Sequence, residues 1–108
     1  MDHPSAIDHD ARLAALTEAF AQSLADKRAA IARSWRAWQA GDALARDELR
    51  TLTHRLGGAA DNSGYVAVGE AARALDALLI PRLATPADAA ATTVAALLAA
   101  FERPPEAI

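Results

Sequence analysis

Three turn-forming segments divide the chain into four stretches, and each stretch carries apolar residues at helical spacing. The segments are AGD at 40–42, DNSG at 61–64 and the stretch from Pro81 to Pro86. Residues three and four apart share one face of a helix, so each stretch predicts an amphipathic helix. The predicted helices cover roughly residues 10–40, 43–61, 65–80 and 86–102. Because short turns make neighbours antiparallel, we predict an all-α, antiparallel up-and-down four-helix bundle.

The predicted core is the sum of four apolar faces that bury one another. The first two faces comprise Leu13, Leu16, Phe20, Leu24, Ile31, Trp35 and Trp38, then Leu49, Leu52, Leu56, Ala59 and Ala60. The last two comprise Val68, Ala72, Leu75 and Leu79, then Ala90, Val94, Leu97, Leu98 and Phe101. Lys27 lies on the first face, and we interpret it as a stem on apolar surface with its ammonium in water.

Residues with strong positional preferences mark where the helices begin and end. Gly41 is placed to terminate the first helix, and Asp42 to cap the start of the second. In TPAD, we expect Thr85 to be the N-cap of the fourth helix, Pro86 its first residue and Asp88 the acid of a capping box.

Composition excludes several classes of function. The 108 residues suffice for one domain, which we expect to span residues 1–108. Acidic and basic residues are interspersed with a net charge of -3, so we expect no nucleic-acid partner. The absence of cysteine, of a long apolar run and of a signal peptide predicts a cytoplasmic protein without a membrane partner. We expect a monomer, and Met1 with the short tails favours a free-standing protein.

A histidine in the second predicted helix points away from the predicted core. Relative to Leu49, Leu56 lies at roughly 340° around the helix and His54 at roughly 140°. An exposed imidazole offers a neutral ring nitrogen as a nucleophile near pH 7. Gly57 and Gly58 follow one turn later, although glycine costs about 1 kcal/mol relative to alanine inside a helix. We interpret the two glycines as clearance for a macromolecule that approaches the histidine.

Charged residues surround this histidine on the same exposed face. They are Arg50, Arg55 and Asp61, which we assign with the two glycines as candidate partner-binding residues. Their cations would attract an acidic, phosphorylated surface. A separate hypothesis, metal binding by His3, Asp8, His9 and Asp10, is the weaker one because acids near a helix start also stabilise its dipole. We predict no metal site and no bound cofactor.

The motif around His54 resembles the signature of the histidine-containing phosphotransfer domain of bacterial phosphorelays. That family has a histidine followed by an aliphatic residue at +2, Lys at +3, Gly at +4, Ser or Ala at +5 and Gly at +10. Four of these five following positions match, namely Leu56, Gly58, Ala59 and Gly64, whereas Gly57 stands in place of the lysine. The resemblance implies that this lysine would lie beside the imidazole and stabilise the charge of a phosphoryl group on it. The cations of this chain that could compensate for its absence are Arg50, Arg55 and Lys27.

The resemblance implies a phosphorelay intermediate. His54 would accept a phosphoryl group from an aspartyl phosphate on a response-regulator receiver domain and pass it to another receiver. A hybrid histidine kinase is the second candidate partner. The receiver would supply the divalent metal, so the chain would be a phosphocarrier and not an enzyme with its own nucleotide or metal site. The alternative is a non-phosphorylated helical adaptor that docks a receiver or kinase domain and regulates it by binding.

Overall fold

Four helices form the protein in the computed structural model, which describes residues 6–105. They are α1 (Ala6–Gln39), α2 (Ala43–Asn62), α3 (Val66–Leu78) and α4 (Ala87–Ala100), and the described residues contain no strand. Each helix packs against the next, and α4 returns to α1, which confirms the predicted antiparallel bundle. The predicted bounds agree to within about two residues, except that α1 begins at Ala6 instead of near residue 10. Within residues 6–105, no helix combines the length and hydropathy of a membrane span.

The turn between α1 and α2 has the predicted chemistry. Gly41 adopts a φ of 103°, a left-handed conformation that glycine tolerates best. The Asp42 side chain accepts a hydrogen bond of 3.0 Å from the Leu44 amide and so caps α2. At the other end of α2, Gly64 has a φ of 83° and lies in the three-residue connection between α2 and α3. This short connection brings the two helices together.

The predicted cap of α4 is wrong by one residue. The N-cap position is occupied by Pro86 instead of Thr85, and no side chain caps the helix. Pro86 is extended, with a φ of -77° and a ψ of 162°, so it lies outside the helix that begins at Ala87. Asp88 remains in the first turn, where its charge interacts favourably with the helix dipole.

The core lies where the apolar faces of all four helices meet. Fully buried large side chains come from each helix: Ile31, Leu49, Leu75, Leu79, Leu97, Val68 and Val94. All four predicted positions of the third face are buried. Trp35 and Trp38 pack edge to face with ring centroids 5.6 Å apart at the margin of this core, so they are structural. The interior fixes α2 against α3, which positions the site described below.

The first helix extends beyond the bundle, which corrects the predicted core. Leu13 and Leu16 are 51% and 68% exposed, although both continue the apolar face of α1. At 1.5 Å per residue, 34 residues make α1 about 51 Å long, well beyond the reach of helices of 20, 13 and 14 residues. The molecule is accordingly elongated, with principal extents of 61 × 23 × 22 Å. Burial of the α1 face therefore starts only near Phe20 and Leu24.

Candidate functional site

His54 projects from the middle of α2 into solvent, as the helical geometry predicts. Its side chain is 71% exposed, whereas Leu49 and Leu56 on the opposite side of the helix are buried. The imidazole is nevertheless held in place, because Nδ1 lies 2.9 Å from Oδ2 of Asp76. The site therefore combines an accessible ring with a fixed orientation.

Asp76 comes from α3, and it is a site residue that the sequence reasoning missed. Its neighbours Leu75 and Leu79 are buried in the core, and Asp76 lies at the edge of α3 that meets α2, with 23% of its side chain exposed. Its second oxygen, Oδ1, faces Arg50 Nε at 3.7 Å, and both atoms are buried without a hydrogen-bond partner. The available signal was a lone acid within the apolar stretch ARALDALL.

The hydrogen bond to Asp76 assigns the proton on the imidazole. An ionised carboxylate only accepts hydrogen bonds. Nδ1 of His54 therefore carries the proton and is the donor of the hydrogen bond to Asp76. In the neutral ring, Nε2 then keeps its lone pair. The arrangement leaves Nε2 as the nucleophilic atom of an exposed side chain.

Successive contacts between α2 and α3 follow one antiparallel register. His54 meets Asp76, Gly57 lies against Arg73 one turn further along α2, and Asp61 lies against Gly69 another turn on. A Cβ atom at Gly69 would overlap Oδ1 of Asp61, so the glycine permits this close approach. Arg73 Nη1 donates to Oδ2 of Asp61. Arg73 therefore crosses Gly57 and ends beside Asp61.

The two glycines after His54 have different surroundings. Gly58 is exposed, and a Cβ atom built on it would meet nothing within 4 Å, which agrees with its interpretation as clearance. Gly57 is buried, and its Cβ would lie 3.3 Å from Cγ of Arg73. For Gly57 the clearance interpretation is corrected, because the missing side chain makes room for an arginine of the same molecule. The prediction that Gly57 and Asp61 contact a partner stays a prediction.

The cations predicted around His54 divide between two sides of α2. Arg50 faces Asp76 and so belongs to the side that carries His54. Arg55 and Lys27 instead line a groove of about 200 Å³ between α1 and α2, together with Ile31, Leu52, Leu56 and Ala59. The Lys27 ammonium lies 5.9 Å from the centroid of the Phe20 ring, and the side chain is half-buried. The structure therefore does not bring Lys27 together with the imidazole through any described contact.

The hypothesis of an N-terminal metal site falls largely outside the described structure. His3 precedes the described residues, and the side chains of Asp8 and His9 are not described. Asp10 is exposed on α1. Among the side chains that the structure describes, no group of three or more His, Cys, Asp or Glu residues is arranged to hold a metal ion.

Comparison with known proteins identifies the family. The family model described as "Hpt domain" matches residues 15–103, which cover all of α2, α3 and α4 and most of α1. Searches of curated proteins and of solved structures find no significant match. Hpt domains are helical bundles that carry phosphoryl groups in phosphorelays, in agreement with the four-helix bundle found here. The chain therefore belongs to the Hpt domain family and is a phosphocarrier of a phosphorelay signalling pathway.

Proposed function

We propose that His54 accepts a phosphoryl group from the aspartyl phosphate of a response-regulator receiver domain and returns it to the aspartate of another. The observation that carries this assignment is the contact between His54 Nδ1 and Asp76 Oδ2, which fixes an imidazole that is 71% exposed. A fixed ring on the surface suits a reaction in which a second protein supplies the other reacting group. We place this exchange in the cytoplasm, with the protein acting as a monomer.

The proposed transfer exchanges one bond to phosphorus for another. The Nε2 lone pair attacks phosphorus, the bond from phosphorus to the aspartyl oxygen breaks, and its electron pair leaves with the receiver's carboxylate. The imidazole thereby becomes a cationic ring that keeps its proton on Nδ1. Nδ1 lies 2.9 Å from Oδ2 of Asp76, so the carboxylate stabilises the positive charge as it forms. Return of the phosphoryl group follows the same steps in reverse.

The surface around His54 suits an acidic partner. Gly58 leaves open space one turn after the imidazole, and the groove between α1 and α2 presents the cations Arg55 and Lys27 beside apolar side chains. A receiver brings carboxylates and a phosphoryl group to the histidine, so positive charge on the neighbouring α1 side of α2, where Arg55 directly follows His54 in the sequence, favours the encounter. We therefore propose Gly58 and Arg55 as receiver contacts.

A transfer assay tests the proposal. Receiver domains from the same genome, including one of a hybrid histidine kinase, are loaded with radiolabelled phosphate and mixed with the purified protein and Mg²⁺. We expect label on this chain that is stable in base and labile in acid, as for phosphohistidine. Binding of a receiver without any transfer of label would contradict the proposal and favour the adaptor.

Gly58→Leu separates the role of Gly58 in partner approach from any role in folding. Because the position is exposed and helical, the substitution should raise the free energy of unfolding by roughly 0.5 to 1 kcal/mol. The added side chain fills the space beside His54, so we expect at least about tenfold slower transfer, a misfit of about 1.4 kcal/mol. Thermal unfolding and the rate of labelling measure the two effects.

Gly58→Ala is the matched control for this substitution. It gives the same gain in helix propensity with a single methyl group, so it should transfer nearly as fast as the wild type. If Gly58→Leu is stable and equally active, the space at Gly58 plays no part in partner approach. If Gly58→Leu unfolds at a lower temperature than the wild type, Gly58 serves helix packing instead.

A further inference from the structure

We propose that Arg73 supplies, from α3, the cationic contact to the phosphoryl group of His54 that related domains obtain from a lysine at the position of Gly57. This inference rests on the proposed function of His54. Its starting observation is that a Cβ atom at Gly57 would lie 3.3 Å from Cγ of Arg73. The arginine stem thus lies directly beside the position where the side chain of a lysine at residue 57 would begin.

The position of Gly57 allows Arg73 to reach either the carboxylate of Asp61 or a phosphoryl group on His54. His54 precedes Gly57 by three residues and Asp61 follows it by four, and residues at these spacings are neighbours on one helix face. Because Arg73 Cγ lies against Gly57, the arginine stem is placed between His54 and Asp61 along α2. In the unphosphorylated structure, Nη1 donates to Asp61. Rotation of the torsions beyond Cγ carries the guanidinium from Asp61 toward His54.

Charge and exposure favour this exchange once His54 is phosphorylated. The side chains of Arg73 and Asp61 are 51% and 43% exposed, and ion pairs so open to water contribute little to stability. A phosphoryl group carries more negative charge than a carboxylate and offers three acceptor oxygens, which guanidinium binds in a bidentate manner. The guanidinium of Arg73 therefore pairs with Asp61 before phosphorylation and binds the more strongly charged phosphoryl group after it.

Arg50 precedes His54 by one turn on this side of α2, but its position gives it a different role. Its Nε faces Asp76 Oδ1 at 3.7 Å and both atoms are buried, so it lies behind the carboxylate that orients the imidazole. Arg73 instead lies across the glycine that replaces the lysine. During transfer, as Nε2 bonds to phosphorus and the aspartyl oxygen leaves, Arg73 binds the phosphoryl oxygens and takes no part in proton movement.

The first test compares transfer rates from a labelled receiver. We expect Arg73→Ala to lower the rate at least about tenfold, which corresponds to about 1.4 kcal/mol, and Arg73→Lys to retain most of it. Arg33→Ala, which removes an exposed arginine from α1, is the matched control and should transfer at the wild-type rate. Circular dichroism and thermal unfolding verify that each variant is folded.

Asp61→Asn distinguishes a cation for the phosphoryl group from a structural tether between α2 and α3. To exclude effects on receiver binding, each variant is phosphorylated directly with phosphoramidate. If the ion pair only holds the helices together, loss of either partner changes the hydrolysis rate of the phosphohistidine equally. If Arg73 binds the phosphoryl group, Asp61→Asn releases the guanidinium, so its phosphohistidine hydrolyses as in the wild type, whereas Arg73→Ala changes the rate. Equal changes in the two variants would overturn the inference.

A double substitution and a receiver-free measurement complete the test. In Arg73→Ala with Gly57→Lys, the crowding at position 57 is gone and a lysine stands in the family position, so we expect the rate to recover. For the second measurement, phosphoramidate phosphorylates the protein directly. Arg73→Ala should then shift the phosphorus NMR resonance of phosphohistidine and change its rate of hydrolysis, whereas Arg33→Ala should not.

The outcomes separate the two proposals. If no receiver transfers label to the wild type, the function proposed for His54 is contradicted. The phosphoramidate measurement still tests whether Arg73 contacts a phosphoryl group on His54. A wild type that transfers normally, with Arg73→Ala matching it in rate, resonance and hydrolysis, overturns the role of Arg73 alone. Failure of the lysine to restore the rate in the double variant also counts against it.

Discussion

His54→Gln is expected to abolish phosphoryl acceptance while the bundle stays folded. The side chain is 71% exposed and outside the core, so the free energy of unfolding should change by less than about 1 kcal/mol. Glutamine can still hydrogen-bond to Asp76, but its amide nitrogen has no available lone pair with which to attack phosphorus. The measurements are the acid-labile label acquired from a receiver and the thermal unfolding curve.

A matched control uses the other histidines of the chain. The sequence has three, so a protein with both His3→Gln and His9→Gln retains only His54. This double variant should acquire label like the wild type. Receiver binding by His54→Gln, measured by calorimetry, should persist because the docking surface is unchanged. If His54→Gln still gains acid-labile phosphate, the acceptor is another residue and the assignment of His54 is wrong.

Asp76→Asn is expected to slow transfer by about 10- to 100-fold, the equivalent of one hydrogen bond to a charged group. The substitution removes the charge that stabilises the cationic ring. It also provides an amide N–H that can donate to Nδ1, which would move the ring proton to Nε2 and block the nucleophile. Asp76→Ala removes only the carboxylate, so its loss should be the smaller of the two.

The effect should appear in the chemical step and not in binding. In single-turnover experiments, the maximal rate should fall while the receiver concentration that gives half of it stays constant. Glu70→Gln is the control, since it neutralises an exposed carboxylate on the same helix. Asp76→Asn with a maximal rate within about twofold of the wild type would exclude an orienting role for Asp76.

Helical periodicity predicted the fold well because the core depends on local spacing. The third face illustrates this, since Val68, Ala72, Leu75 and Leu79 are all buried. The same pattern failed at Leu13 and Leu16, which are exposed. An apolar face shows which side of a helix can be buried, but not whether another helix is long enough to cover it.

The site was predictable only as far as one helix determines it. The outward direction of His54 follows from its angle relative to Leu49, and Gly58 is open as expected. Asp76 and the packing of Arg73 on Gly57 depend on the register between α2 and α3, which spacing within either helix does not contain. The cations that spacing within α2 and the first face could associate with His54 were Arg50, Arg55 and Lys27, whereas Arg73 lies on α3.

The groups that we propose to act on the phosphoryl group lie in one contiguous helical hairpin. His54 and Asp76 are 22 residues apart, and Asp61 and Arg73 are 12 apart, with the tight turn at Gly64 between the helices. Contacts of such low sequence separation cost little loop-closure entropy. The outer helices α1 and α4 contribute none of these four groups. Substitutions in α1 and α4 can therefore change partner preference or stability without altering these four groups of α2 and α3.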